Sequence, residues 1–541
     1  MSYIAPDSDI EFCRGFPLDR GHEYAISFAS ASAQYSAIHA YASKIYDKNS
    51  YQRVNKRTIR VGELADNLQG VNYMIFRNTA FGTKWFYAFV DEVNYINNSV
   101  CEVVYTIDPL QTYLFDFNWN ACMVEREHTL TDVVGEHTET ENFAQVTQKY
   151  SRILQKTFDS WTYIVASTKF LGVDPSAYTK ASQWPNSTPA VYDGVLQGCG
   201  LYLYSSISDF ANTVKYLDDL GIGSAIVAIF AVPSDLVTTP FANSKVDTST
   251  FTQSLSGALD GYTPKNKKLY TSPFCNIVLS GNGVSVKVFD VQGFTISNGS
   301  VEGIIEATCA INPNSSIIAY PIFYRGIGYN PLPGIPYGNK ENAVQLGNAL
   351  QGSWTSDTYA NWQAQTGTSR TLTAVMSVLA AGGAVVGAVA SGGAGAPLAA
   401  GAVMGAVTTI ASTAVNQATE NLRMSNLPNT LNGGVAAGDI NLARGDFGFR
   451  VYFAYPVANQ AEKIDAYFTR YGYACNKIKV PSTNNRPYWT YCKTNGCAFT
   501  PKIGSGIPAP DMEAINGYFD KGITWFKTAA DVGRFDRDNS V

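Results

Sequence analysis

Two patterns divide this chain. Most of it consists of short apolar or alternating runs rich in Tyr, Phe and Val, punctuated by Gly, Pro, Asn and Asp, which is the pattern of strands and tight turns. In the N-terminal block, residues 71–77 predict a strand, 81–84 a turn, 85–90 the returning strand of a hairpin and 101–107 a third strand. Asp108-Pro109 ends that strand, because proline cannot donate to a ladder. Residues 161–166, 225–230 and 284–289 predict further strands, with one helical pattern near 208–220. Residues 326–338, rich in Pro and Gly, predict a linker, and 339–362 a polar approach to a long uncharged stretch. Toward the C-terminus, residues 447–455, 488–491 and 497–499 predict strands. Residues 462–471 predict a helix with Ile464, Tyr467 and Phe468 on one face, and 512–519 a last helix built on Met512, Ile515 and Phe519.

The second pattern is that uncharged stretch, residues 371–419. Arg370 and Glu420 bracket it, and between them there is no Asp, Glu, Lys, Arg or aromatic side chain. Leu372, Val375, Met376 and Leu379 recur at helical spacing, and Val386 and Val389 carry the apolar run onward. Residues 391–397, dense in Gly and closed by Pro397, break it; a second run continues through Leu398, Val403, Val407 and Ile410. Each run is about 18 to 20 residues, the length that crosses a bilayer's hydrocarbon as a helix. Gly383 with Gly387, and Gly401 with Gly405, give the small-xxx-small spacing that lets two helix backbones approach closely in lipid. Thr409, Thr413 and Asn416 fall on one side of the second run, as the wall of a wet pore requires.

Ala and Gly dominate both runs, so insertion is marginal: Leu, Ile, Phe and Val contribute only about −0.3 to −0.6 kcal/mol each at a helix centre. A segment that stays soluble while covered and enters lipid when released has this composition. A buried Ala-rich helical hairpin and a low-complexity loop fit the same residues.

Composition narrows the remaining classes. A chain of 541 residues suggests three or four units at ~150 residues each. Charged residues make up 15% and the net charge is −5, so no basic footprint for tight nucleic-acid binding is present. A weakly acidic surface suits DNA that passes without sticking, since carboxylates repel phosphates. Residues 1–7 lack the basic and apolar regions of a signal peptide, which predicts synthesis and folding in a cytosol. The nine cysteines are scattered with no Cys-x-x-Cys pair, which predicts buried reduced thiols. His128 and His137 each sit among glutamates but lack zinc-site spacing, so 125–129 and 136–139 predict solvated, salt-bridged loops. No Gly-x-Ser-x-Gly elbow or phosphate loop occurs, and the glycines at 326–328 lack the third Gly and the following helix of a dinucleotide site. The expectation is a non-enzymatic protein without cofactor or metal.

Several phrases, in order, resemble one family. The N-terminal block carries Lys84-Trp85-Phe86-Tyr87-Ala88-Phe89-Val90, then Ile107-Asp108-Pro109-Leu110-Gln111-Thr112 with Phe115, then Arg126-Glu127-His128. The C-terminal block carries Asn426-Leu427-Pro428 with Leu431, then Phe468-Thr469-Arg470-Tyr471-Gly472-Tyr473, then Phe519-Asp520-Lys521-Gly522-Ile523-Thr524-Trp525. This ordered set, with the charge-free stretch just upstream of Asn426, resembles the tail knob, or distal tail tube, proteins of small short-tailed phages of the phi29-like group.

The resemblance covers about the first 130 and last 120 residues plus the hydrophobic stretch. It implies a mainly β fold, with a β-barrel tube domain from residues 1–150 and 426–541 and a membrane-active, partly helical loop at 371–425; the residue pattern itself, outside the resemblance, predicts an inserted β-rich region at 151–335 and a linker at 336–370. It further implies a homohexamer in the virion tail, joined to other tail tube proteins, with double-stranded viral DNA passing through its lumen. Six hydrophobic loops would plug that lumen and then form a pore in the host cytoplasmic membrane during ejection. A competing reading is a receptor-binding, adhesin-like virion β protein whose Ala/Gly stretch is a buried hairpin. A cellular pore-forming toxin is a third, disfavoured by the start of the chain and its scattered cysteines.

Overall fold

The computed structural model describes residues 8–49, 52–55, 57–78, 82, 84–143, 146–167, 190–192, 195–197, 200–206, 209–210, 226–238, 243–281, 285–312, 315–326, 342–351 and 447–541. The fold is mainly β and divides into two compact units. One comprises Met1–Val146, Ala258–Leu269 and Val457–Val541; the other comprises Thr147–Gly257 and Tyr270–Pro456.

The first unit contains a seven-stranded antiparallel sheet in the order Ala42–Asn49, Ser8–Arg14, Val71–Asn78, Phe86–Asn97, Val100–Ile107, Thr58–Val61, Gln52–Asn55. The predicted hairpin and third strand are therefore present. Chain geometry shows how the sheet is shaped. Its two edge strands are consecutive in sequence, and Asn49 and Gln52 are three peptide steps apart, a reach of about 11 Å. Seven flat strands would place them roughly 29 Å apart at ~4.8 Å per strand. The sheet therefore curls strongly toward a half-barrel, bringing those two strand ends close, while no ladder among the described residues joins its edge strands. Ile10, Phe12, Ile59, Val61, Met74, Ala88 and Val103 fill one buried core against it. Tyr73, Ile75, Tyr87 and Phe89 pack on the opposite face with Ile38 of the helix Ala31–His39. Burial on both faces explains why Tyr73, Met74 and Ile75 are consecutive apolar residues rather than an alternating run.

A second sheet of this unit interleaves the two ends of the chain. Its order is Tyr24–Ile26, Ile523–Phe526, Trp489–Asn495, Cys122–Glu127, Tyr473–Lys479. The N-terminal strand Cys122–Glu127 lies between two C-terminal strands, and Tyr24–Ile26 runs parallel to Ile523–Phe526. Neither end of the chain forms this sheet alone. The helix Ala509–Lys521 buries Met512, Ile515 and Phe519, as its spacing predicts. The helix Ala458–Tyr471 buries Ile464 and Phe468, but Tyr467 is exposed, its ring edge-on to Phe143 and below the Arg126 guanidinium. Residues 497–499 are not a strand. Gly496 turns the backbone at φ +67°, and the amides of Cys497 and Phe499 donate to the side chains of Asp520 and Asn516 instead of a ladder.

In the second unit, Gln148–Thr157, Gly448–Pro456, Asn276–Gly281 and Ser285–Asp290 form one antiparallel sheet. The predicted strand at 447–455 thus pairs here, and the C-terminal part of the first unit starts at Val457. Trp161–Ser167 lies between Gly200–Tyr204 and Ile226–Pro233 in a second sheet. A third runs Asp247–Ser254, Ser300–Cys309, Ser316–Ile322, Val344–Asn348. Residues 336–370, expected as a linker, thus include a strand whose Val344 and Leu346 are buried. Residues 211–220 of the predicted middle helix, residues 327–338 of the Pro- and Gly-rich run and the whole of 371–425 lie outside the described residues.

Candidate functional site

The described residues most concentrated in buried polar chemistry are those that lock the first unit together. Asp465, on the helix Ala458–Tyr471, is 1% exposed. It accepts hydrogen bonds from Tyr262 Oη (2.7 Å), Lys265 N (2.8 Å) and both Asn266 N and Asn266 Nδ2 (2.9 Å each). One carboxylate thereby holds the segment Ala258–Leu269, which comes from the middle of the chain. Asn266 Nδ2 also donates to Thr469 Oγ1 at 2.7 Å, one helical turn further on.

Beside it lies a charged cluster. Glu141, with its side chain fully buried, accepts from Lys268 Nζ at 2.7 Å and from the amide of Ala474 at 2.9 Å, and pairs with Arg126. Lys268 also donates to the Glu139 carbonyl at 2.8 Å. Burial pulls the Lys268 ammonium below its usual range, and Glu141 opposes that shift. Removing one member of such a cluster strands an uncompensated charge and costs about 3–5 kcal/mol.

Glu127 and His128 correct the expectation of a solvated loop at 125–129. Glu127 ends the central strand Cys122–Glu127 at 1% exposure and pairs with Lys479, yet burial still raises its pKa. His128 is 2% exposed. The Tyr491 amide donates to its Nδ1 at 2.7 Å, and its Nε2–H donates to the Thr469 carbonyl at 3.1 Å. Desolvation, reinforced by Arg486, lowers its pKa to about 3, so the ring is a neutral spacer between strand and helix. Sequence reasoning missed these roles because each partner lies more than 330 positions away. His137 does sit in an exposed loop, as predicted, its Nε2–H donating to the Thr131 carbonyl at 2.8 Å.

A cleft of about 320 Å³ opens nearby, lined in part by Glu127, Leu130, His137, Cys475 and Lys479. Its charges are mixed, and among the described residues no cluster of His, Cys, Asp and Glu is placed to hold a metal ion. The arrangement fastens distant parts of the chain to one another.

The residues singled out for membrane insertion (Leu372, Val375, Met376, Leu379, Val386, Val389, Leu398, Val403, Val407 and Ile410), for close packing (Gly383, Gly387, Gly401, Gly405) and for pore lining (Thr409, Thr413, Asn416) all lie outside the described residues. Among the described residues, no helix is long and apolar enough to cross a membrane.

The chain is similar to proteins of phage tails. Residues 240–540, more than half of the chain, match the family described as the C-terminal domain of Bacillus phage phi29 tail knob protein gp9, and residues 6–118 match the caudoviral major tail protein N-terminus. The tail knob protein gp9 of Bacillus phage phi29 is 23% identical over an alignment covering 100% of both chains. That of Bacillus phage B103 is 33% identical over 133 residues, which is 24% of this chain and 22% of that relative. The solved structure of the bacteriophage C1 tail knob protein, gp12, shares the fold, with a TM-score of 0.58 at 14% identity over 97% of this chain and 98% of its own. With more than half its length matched by one family and its whole length aligned to the phi29 relative, the chain belongs to the phi29-like tail knob proteins, components of phage tails.

Proposed function

We propose that the chain assembles into a homohexamer whose first units surround a conduit for double-stranded DNA. In this reading residues 371–425 close the lumen before ejection and then line a pore in the host cytoplasmic membrane. The observation that carries it is the charge-free, ring-free double run at 371–419, long enough to span twice and too weakly apolar to need lipid while covered. Helices satisfy all their own backbone groups, so several such hairpins with polar stripes can enclose water within a bilayer.

The curled sheet of the first unit supports a conduit between chains rather than through one. Its interior is filled by Phe12, Met74, Val103 and their neighbours, which leaves no passage for a duplex whose major groove alone is about 12 Å wide. A lumen therefore needs several chains around it. The net charge of −5 suits a wall that phosphates slide past. The role is structural and non-enzymatic, with other tail tube proteins, viral DNA and the host membrane as partners.

The test combines imaging with vesicle leakage. Purified chain should form rings or short tubes of six-fold symmetry in negative stain. The full chain should release dye from liposomes, whereas a variant lacking residues 371–419 should form the same rings and release none. Equal release by both would remove the stretch from the mechanism.

A further inference from the structure

Eight of the nine cysteines fall among the described residues, all as free thiols. All eight are buried: Cys13, Cys101, Cys275 and Cys492 are 0% exposed and Cys309 1%, whereas Cys122 (7%), Cys475 (7%) and Cys497 (8%) are slightly less sealed. Two of these three sit together although they are 375 positions apart in sequence. Cys122 opens the strand Cys122–Glu127, and its neighbour Met123 is registered opposite Asn495, the last residue of Trp489–Asn495. The turn at Gly496 then brings Cys497 back to the end of the same antiparallel pair. Continued by one step, that register sets Gly496 opposite Cys122, and opposed Cα atoms in such a pair are about 4.5–5.5 Å apart, so Cys497 follows directly on the position facing Cys122. Both side chains belong to one apolar core with Phe117, Phe499 and Trp525.

We propose that Cys122 and Cys497 are an oxidisable dithiol that closes to a disulfide once the particle leaves a reducing cytosol, stapling the N-terminal block of the first unit to its C-terminal block. The oxidant is a low-molecular-weight disulfide, RSSR. The Cys122 thiolate attacks one of its sulfurs, forming a mixed disulfide and releasing one RS⁻, which takes a proton. The Cys497 thiolate then attacks the Cys122 sulfur, the protein disulfide forms and the second RSH leaves. Two protein thiols and one RSSR become one protein disulfide and two RSH, so two electrons pass from protein to RSSR. Burial raises both thiols, but the neighbouring Cys497 opposes that rise at Cys122, whereas Cys122 adds to it at Cys497, which is pushed up to about 12, so Cys122 acts first. The same burial makes closure slow and selective, and it spares the sealed cysteines. Closure of this pair is independent of the conduit reading.

The test uses the full chain, purified reduced, incubated folded with oxidised glutathione or dithiothreitol, then denatured, alkylated and digested with trypsin. Glutathione treatment should lower the free-thiol count from nine to seven and yield one linked peptide pair containing Cys122 and Cys497. Lys493 separates Cys492 from Cys497, so the digest distinguishes them, and fragment-ion sequencing of the linked pair distinguishes Cys122 from Cys101, which share the tryptic peptide 85–126. Cys492→Ser should keep the link and Cys497→Ser should lose it. The mapping on the unaltered chain decides the matter even if a variant fails to fold. Nine free thiols after oxidation, a link through Cys475 or Cys492, or glutathione left on Cys122 without closure would each overturn the proposal.

Discussion

Asp465 grips Asn266 across 199 positions of sequence, accepting from both its backbone amide and its side-chain amide at 2.9 Å. The Asp465 carbonyl takes a further bond from Asn266 Nδ2 at 3.1 Å. This residue pair fastens the mid-chain segment Ala258–Leu269, which belongs to the first unit, to a C-terminal helix.

Asp465→Ala should therefore be among the most damaging single changes in the described residues. It leaves the amides of Lys265 and Asn266 and the Tyr262 hydroxyl without their acceptor. Unsatisfied buried donors cost about 1–3 kcal/mol each. A loss of about 3–5 kcal/mol is expected in urea denaturation, with faster proteolysis around residues 258–269. Asp465→Asn should cost less, because its oxygen can still accept. Equal stability of all three proteins would show that the segment is held by packing alone.

His128 predicts a pH dependence with a definite sign. Its folded pKa is lowered to about 3 from an ordinary value of 6.5, so the unfolded chain binds the proton more tightly. Its contribution to stability is complete above about pH 6.5 and is lost progressively as pH falls toward 3, by about 1.4 kcal/mol per pH unit. Carboxylates titrate in the same window, so the measurement is a difference. The pH slope of urea stability between about 4 and 6 should be shallower in His128→Asn than in the unaltered chain. Parallel slopes would mean that the ring is protonated inside the fold.

Within the proposed pore, Gly387→Leu or Gly405→Leu should separate close-packed helices and suppress dye release several-fold, while rings still form. Replacing Thr413 and Asn416 together by Leu should dry one wall and lower single-channel conductance. Unchanged leakage in the glycine variants would dispose of close packing, and unchanged conductance would place the lining face elsewhere.

Local periodicity made some elements legible and concealed others. Met512, Ile515 and Phe519 are all buried because a helical stripe reports directly on which face meets a core. Tyr467 shared such a stripe but lies at its flank, where a ring can satisfy itself against Phe143 and Arg126 while remaining open to water. Residues 497–499 are apolar enough for a strand, yet their amides are taken by Asp520 and Asn516, a choice settled by side chains from the following helix. Glu127 and His128 looked solvated because a buried charge is recognised only by its partners, and Lys479 is 352 positions away. The shared aromatic β character of the two chain ends was visible in sequence. Their interleaving, strand between strands, is a matter of register that composition cannot specify.

Gly472 sits where this interleaving is tightest. It ends the helix Ala458–Tyr471 at φ +66° and ψ −156°, a backbone region that side chains with a Cβ strongly resist. A Cβ added there would lie 2.2 Å from the Glu127 carbonyl oxygen and 2.5 Å from the His128 nitrogen, both backbone atoms that cannot rotate aside. The Gly472 carbonyl also accepts from Arg126 Nη1 at 2.6 Å, so the residue cannot retreat without losing that bond. Gly472→Ala should thus combine about 1–3 kcal/mol of backbone strain with displacement of the strand Cys122–Glu127 from its neighbour Tyr473–Lys479. The expected outcome is a destabilisation larger than strain alone, together with loss of hydrogen-exchange protection across residues 122–127. By contrast, Gly517→Ala, with nothing within 4 Å of the new methyl on the helix Ala509–Lys521, should be neutral or stabilising. If both variants behaved alike, close approach of the two backbones would not be what requires glycine at 472.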